Sequence, residues 1–526
     1  MKDRPGSAGW PAREVVLQEA SIRWYEATLI VALAALALVW PALVNGGPFW
    51  FPDTSSYIRG ADAAVVTITG QSSEWSDRLV RVDPTAQASD PEAGTGPGNI
   101  AAGKGKVAPA KPVITGRSIY FGFVLYAPMI ILGSWGAIYV QALLVAGLIT
   151  VCLSIVAREF RLRRRVLLPT VFSLLAALTP LPYFTSMLMP DVYSGIIVLT
   201  LVTAICFWDG MSARERVLLV GASAVIATFH TTHVLIVLAT AGAAALLFFH
   251  GRNRLRPLLI ATPVLLAAFL AGAAFSYGVK SQLGEGPLSP PFLSARITAS
   301  GPGTEYLRQH CTGAAEDFAL CAFRDRLPTD SDTILWSKDP VQGVFQVAGP
   351  ELQRRLGKED RAFFLAVLRT DPVGFLGVTG QSVFETLTSF NLRSFNYSQG
   401  KGAALAAQVP ASVADEIVGS RAFDQRMPTS FAVYAAIATT LASLAAIGWF
   451  SWASLGRSDP TQRLLRRYAL LVVLAVLANG VACGALSKAT ARYQMRLIWL
   501  LPAAAMVVAA AGISRRPLEV GRPASG

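Results

Sequence analysis

Charge is what this chain has least of. Asp, Glu, Lys and Arg make up only 15% of its residues, against about a quarter in a soluble domain. With 53% hydrophobic residues and repeated apolar runs of membrane-crossing length, that scarcity excludes a water-soluble globular fold. It predicts an all-α polytopic membrane protein. Nucleotide-binding signatures are also missing. There is no Walker-type Gly-Lys-Ser/Thr loop, no Gly-x-Gly-x-x-Gly after a strand and no His-Glu-x-x-His, so soluble nucleotide chemistry has no home. No cleavable signal peptide is expected: the first apolar run is too long for an h-region and lacks a small-residue cleavage site before Pro48. The net charge of +13 does not point to nucleic acid. The basic residues sit beside the apolar runs, where topology accounts for them.

The apolar runs number about ten on a bilayer-length criterion. A polar segment, 1–24, precedes the first, at 25–46. The stretch 47–135 leaves the membrane; it holds an Ala/Gly/Pro/Asp-rich insertion at 83–113 with too little to bury and a juxtamembrane helix from Gly116. Six spans follow in 136–277. One apolar stretch there, 217–249, is too long for a single crossing and is split at His230-Thr231-Thr232-His233. The segment 278–429 is a second polar region, with amphipathic patterns at 303–325 and 350–390 expected to pack down as helices on the membrane domain. Three spans at 430–513 and a basic tail, 514–526, close the chain. With the N-terminus cytoplasmic, every arginine cluster (158–165, 214–216, 252–256, 457–467, 515–522) falls inside, and both polar regions fall outside.

That sidedness gathers the ionisable residues of interest on one face. Asp53 follows Pro52 just beyond the first span, and Tyr57 lies one helical turn later. Asp191 follows Pro190 at the outer end of another span. Arg117 opens the juxtamembrane helix, and Arg492-Tyr493 opens the last span. Each has an ordinary explanation too. Either acid can be a helix cap, and each arginine can snorkel to head groups. Two proline-preceded acids and two arginines on one face instead suggest chemistry on a phosphate, which the arginine fork suits. His230 and His233 have a spacing that can hold a divalent metal, with Asp191 as a further ligand. A turn whose polar groups satisfy one another is the other reading. Cys311 and Cys321 lie outside, where a disulfide can persist, or remain two thiols on helix faces.

The layout resembles the GT-C superfamily of polytopic glycosyltransferases, in the manner of protein mannosyltransferases and aminoarabinose transferases. The likeness rests on Pro52-Asp53-Thr54-Ser55-Ser56-Tyr57, on Gly116-Arg117-Ser118-Ile119-Tyr120 and on the span entered through Tyr139-Val140-Gln141-Ala142-Leu143-Leu144. It continues with Leu178-Thr179-Pro180 … Pro190-Asp191 and with Arg492-Tyr493. It covers roughly 25–250 and, more loosely, the last spans; the 83–113 insertion and 278–429 stand outside it. The resemblance implies transfer of a sugar from a polyprenyl-phosphate carrier to a lipid, glycan or protein acceptor on the periplasmic face of the inner membrane. Asp53 would be the general base and Asp191 a second catalytic acid. Tyr57, Arg117, His230, His233, Arg492 and Tyr493 would bind substrate. Two rivals share the architecture, a lipid-linked-substrate transporter or flippase and an O-antigen-ligase-like enzyme. A non-catalytic assembly protein is the third.

Overall fold

The computed structural model describes residues 23–76, 113–248, 254–311, 318–398, 400–456 and 459–513. The polar segment 1–24, the insertion at 83–113 and the tail lie, but for a residue or two, outside them. Helix accounts for 77% of the structure, with no strand among the described residues.

Seven helices there are long and apolar enough to cross a membrane. In chain order they are α1 (Trp24–Asn45), α3 (Ile119–Glu159), α5 (Asp191–Gly210), α8 (Arg256–Leu283), α15 (Thr429–Ala453), α16 (Pro460–Leu486) and α17 (Ala491–Gly512). Three other stretches expected to span are helical but shorter: α4 (Arg164–Leu178), α6 (Ala213–Ala227) and α7 (Thr231–Leu247), of 15, 15 and 17 residues. At ~1.5 Å per residue they are roughly 23–26 Å long, against a ~30 Å hydrocarbon core. The long apolar stretch breaks just before the His-Thr-Thr-His run rather than within it. α6 ends at Ala227, and His230 is the N-cap of α7, accepting from the Thr232 amide.

Between α1 and α3 lies α2 (Thr54–Thr69). α3 itself has two parts. Ser118 caps its start by accepting from the Tyr120 and Phe121 amides, and the rod kinks at Gly133, whose φ is +70°. The first part lies on α2 at close range. A Cβ at Gly122 would sit 2.2 Å from the Tyr57 carbonyl oxygen, so only glycine allows this approach. The centre of the bundle is α5, all of whose residues from Asp191 to Phe207 are buried. α1, α8 and α15 lie at the periphery. Leu33, Phe269 and Trp449 are more than half exposed there, the outward apolar surface that a bilayer solvates.

From Leu288 to Phe375 the chain builds a second, smaller core around α9 (Phe292–Ala299), α10 (Pro302–His310), α11 (Ser331–Trp336), α12 (Pro350–Thr370) and the start of α13 (Pro372–Thr388), whereas α14 (Ala411–Val418) packs into the main bundle through Val413 and Ile417. Leu307, Phe345 and Phe363 are buried in that core. Cys311 and Cys321 form a disulfide within it, Cα–Cα 5.5 Å. α12 and α13 meet at 111°, where Pro372 stops one helix and Asp371 caps the next, accepting from the Gly374 amide. α13 then runs antiparallel to the end of α16. Val383 lies against Gly484 and Leu387 against Gly480.

Candidate functional site

The two Pro-Asp loops are tied together by their backbones. The Phe49 amide donates to the Ser186 carbonyl (2.9 Å), and the Leu188 amide donates to the Phe49 carbonyl (3.1 Å). Thr54 Oγ1 donates to the Leu188 carbonyl at 3.0 Å. The buried Gln141 side chain holds the same turn from α3, donating to the Thr185 and Met187 carbonyls at 2.9 and 2.8 Å. Loops 138 residues apart at their acids thus share one short ladder, which places Asp53 and Asp191 at the same end of the bundle.

Asp53 occupies the N-cap position of α2 yet makes no side-chain capping bond. Its carboxylate goes elsewhere. Arg117 donates to Asp53 Oδ1 through Nε at 3.1 Å and through Nη2. Oδ2 takes no hydrogen bond among the described residues. Asp53 and Arg117 are each about one-quarter exposed, so the pair faces the surface. The guanidinium of Arg117 is covered by the Trp336 ring at 4.4 Å.

Asp191 is buried and meets two arginines. Arg492 Nε lies 3.4 Å and Arg496 Nη1 3.3 Å from its Oδ1. Arg492 stacks over Phe51 at 4.2 Å, two residues before Asp53, and its buried Nη1 has no hydrogen-bond partner. Arg496 is 2% exposed. Its Nη2 reaches Thr232 Oγ1 and Asn479 Oδ1, both at 3.5 Å, and its Nε is unpartnered. Tyr493 packs between them, 4.9 Å beneath Arg496, with its hydroxyl 3.2 Å from Ser487 Oγ.

Tyr57 joins the two pairs. It is buried, edge-on to Phe121. Its phenol is held well above the ordinary tyrosine range, first by burial and then by the charges of Asp53 and Asp191, with Arg117 and Arg492 pulling the other way. Four of the five charged groups of the cluster, all but Arg496, therefore act on one hydroxyl, which remains a neutral donor. Two carboxylates against three guanidiniums leave one positive charge in excess. A site of this kind accepts an anion, and the unpartnered Arg492 Nη1 supplies a ready donor.

The histidines divide. His230 stays at the edge of the cluster, with Nδ1 2.8 Å from Thr232 Oγ1, the hydroxyl that Arg496 also touches. His233 is fully buried, and both its ring nitrogens are engaged. Nδ1 donates to the Ile226 carbonyl (2.7 Å), and Nε2 pairs with Ser194 Oγ (3.1 Å). It fastens α7 to α5 and α6, which corrects its expected substrate-binding role. The metal expectation for Asp191, His230 and His233 is corrected likewise. Asp191 is taken by arginines, His233 has no free nitrogen, and no three His, Cys, Asp or Glu side chains gather as ligands among the described residues.

Two participants escaped the sequence reading. Arg496 lies four residues after Arg492, hence on the same helical face; a lone charge heading an apolar run was its signal. Trp336 carried no signal at all, since it comes from the separate outer core. Comparison with protein-family models, with curated proteins and with solved structures returns no match.

Proposed function

We propose that this chain is an inverting membrane glycosyltransferase that moves a sugar from a polyprenyl-phosphate carrier to an acceptor hydroxyl. The observation that carries the reading is the joining of the Asp53 and Asp191 loops beside Arg117, Arg492 and Arg496. It puts one partly exposed carboxylate with an open oxygen next to a cationic cluster with a spare donor.

In the proposed step, Asp53 Oδ2 takes the proton of the acceptor hydroxyl as its oxygen bonds to the anomeric carbon. The bond from that carbon to the carrier phosphate breaks, and the phosphate oxygen leaves with the electron pair. Arg492, with Arg496 behind it, stabilises that developing charge in a site of low dielectric. Arg117 fixes the carboxylate through Oδ1. Asp191 keeps the two arginines together without neutralising both, a supporting role rather than a proton-transfer one. No step calls on a metal.

In this reading the ten helical stretches cross the inner membrane, the short α4, α6 and α7 tilting little within the bundle, and both termini are cytoplasmic. The site then opens to the periplasm, opposite the arginine clusters. A transporter or flippase would favour charges at mid-span, whereas these lie at helix ends.

The test is membranes carrying Asp53→Asn, assayed for the glycan or glycolipid product and for release of polyprenyl phosphate. Loss of both with normal folding is expected; full activity would refute the base assignment. A reporter fused at residue 350 checks sidedness, and cytoplasmic activity there would overturn the topology.

A further inference from the structure

The outer core is bound to the site by a run of contacts that converge on Arg117. Directly before it, the chain pairs backbone to backbone with the entry to that core. The Thr115 amide donates to the Leu288 carbonyl and the Leu288 amide to the Val113 carbonyl, both at 2.7 Å. Gly116 follows with φ +110°, a left-handed-region backbone that favours glycine, and the Phe292 ring packs against it. Phe292 in turn braces Trp336, centroids 6.1 Å apart, and Trp336 covers the Arg117 guanidinium. The segment bearing Trp336 is tied down separately. Lys488, four residues before Arg492, pairs with Asp330 at 2.5 Å and with Asp332 at 2.9 Å. Arg296 of α9 donates to the neighbouring Ser487 carbonyl at 2.8 Å.

We infer that Trp336 is a positioning residue: the outer core reaches over the site so that this ring holds Arg117 on Asp53 Oδ1 and leaves Oδ2 open. Two features make the ring more than packing. Arg117 keeps about a quarter of its side chain exposed, so the ion pair alone does not confine it. The guanidinium has no hydrogen-bond partner other than Asp53 among the described residues, so the π face is its second seat. A guanidinium so placed is attracted by the ring quadrupole. On this account 278–429 is part of the working site rather than a separable acceptor-binding module. The inference rests on the proposed site being the functional one, but its physical content is tested without substrate.

The experiment uses the full-length protein in detergent or nanodiscs, with phenylglyoxal as the probe and peptide mass spectrometry as the readout. Modification rates are compared at Arg117 and at Arg492, the internal control. Trp336→Ala should raise the Arg117 rate roughly five- to thirtyfold, the equivalent of a cation–π contact of about 1–2 kcal/mol at about 1.4 kcal/mol per factor of ten. Arg492 should stay unchanged. Trp336→Leu, which keeps apolar bulk and the fold, should behave as Trp336→Ala, and Trp336→Phe should return Arg117 to within about twofold of wild type. In the glycan assay the same order should appear, with Phe recovering what Ala and Leu lose. Three results would overturn the inference: an unchanged Arg117 rate in both Ala and Leu variants, an equal rise at Arg492, or failure of Phe to differ from Leu. If Asp53→Asn keeps full activity while the labelling pattern holds, the glycosyltransferase reading fails and the positioning of Arg117 stands.

Discussion

Replacing Asp191 by Asn should cost more than replacing either arginine it holds. One carboxylate, 3% exposed, faces Arg492 and Arg496, the latter 2% exposed. Asn keeps the shape and removes the charge, leaving two guanidiniums side by side with no carboxylate in direct contact and only the more distant Asp53 to offset Arg492. Removing one partner of a buried pair costs about 3–5 kcal/mol. Arg496→Met is milder, because Asp191 keeps Arg492. It forfeits one charged hydrogen bond, about 1.5–3 kcal/mol. The double variant should be less damaging than the sum by about 1–3 kcal/mol, the coupling expected of groups in contact. Three free cysteines, Cys152, Cys206 and Cys483, are buried, so a thiol-reactive fluorophore reports unfolding directly in a thermal ramp. A 1 kcal/mol change moves the midpoint by about 2–4 °C in a domain of 150–250 residues and by less in a longer chain, so Asp191→Asn should fall by on the order of 5 °C. A midpoint for Asp191→Asn no lower than that for Arg496→Met, or strict additivity in the double variant, would refute the pairing.

Further outcomes follow from the same geometry. Gly122→Ala sets a methyl against the Tyr57 carbonyl; parting α2 from α3 should cost about 1–3 kcal/mol and reduce activity along with thermal stability. Glu416 on α14 is held above the usual carboxylate range by burial, while the Ser134 hydroxyl donating at 2.6 Å pulls it back. Its raised folded-state pKa means that stability is greatest below the unfolded value and falls as pH rises through the folded one. Glu416→Gln should therefore raise the melting midpoint at pH 7, leave it unchanged near pH 4 and flatten the profile between. An unchanged profile would contradict this. Replacing Cys311 and Cys321 by Ser should destabilise the outer core by about 2–3 kcal/mol for so short a loop, seen as faster proteolysis within 278–375 while the membrane helices keep their resistance.

Local pattern was enough to read the membrane class and much of the site's inventory. Apolar runs bounded by prolines and arginines mark helices wherever they end up, because length and burial preference belong to each segment alone. Asp53, Arg117, Asp191 and Arg492 stand at element boundaries that such runs define. The number of full-length spans was not legible in the same way. α4, α6 and α7 are apolar, yet how long each stays helical depends on the neighbours that accept its ends, such as Ile226 and Ser194 for His233. Partner choice was out of reach for a similar reason. An aspartate after a proline reads equally as a helix cap or as a carboxylate free for another partner, and only packing decides between them: Asp53 makes no capping bond and pairs with Arg117. The Phe49–Met187 bridge brings two distant loops together, so Asp53 turns from its own helix end to Arg117, and Asp191 meets Arg496 as well as Arg492. Trp336 reaches Arg117 from 219 positions along the chain. Contacts of that separation leave no periodicity in the residues between them, and they exist only once two cores have packed.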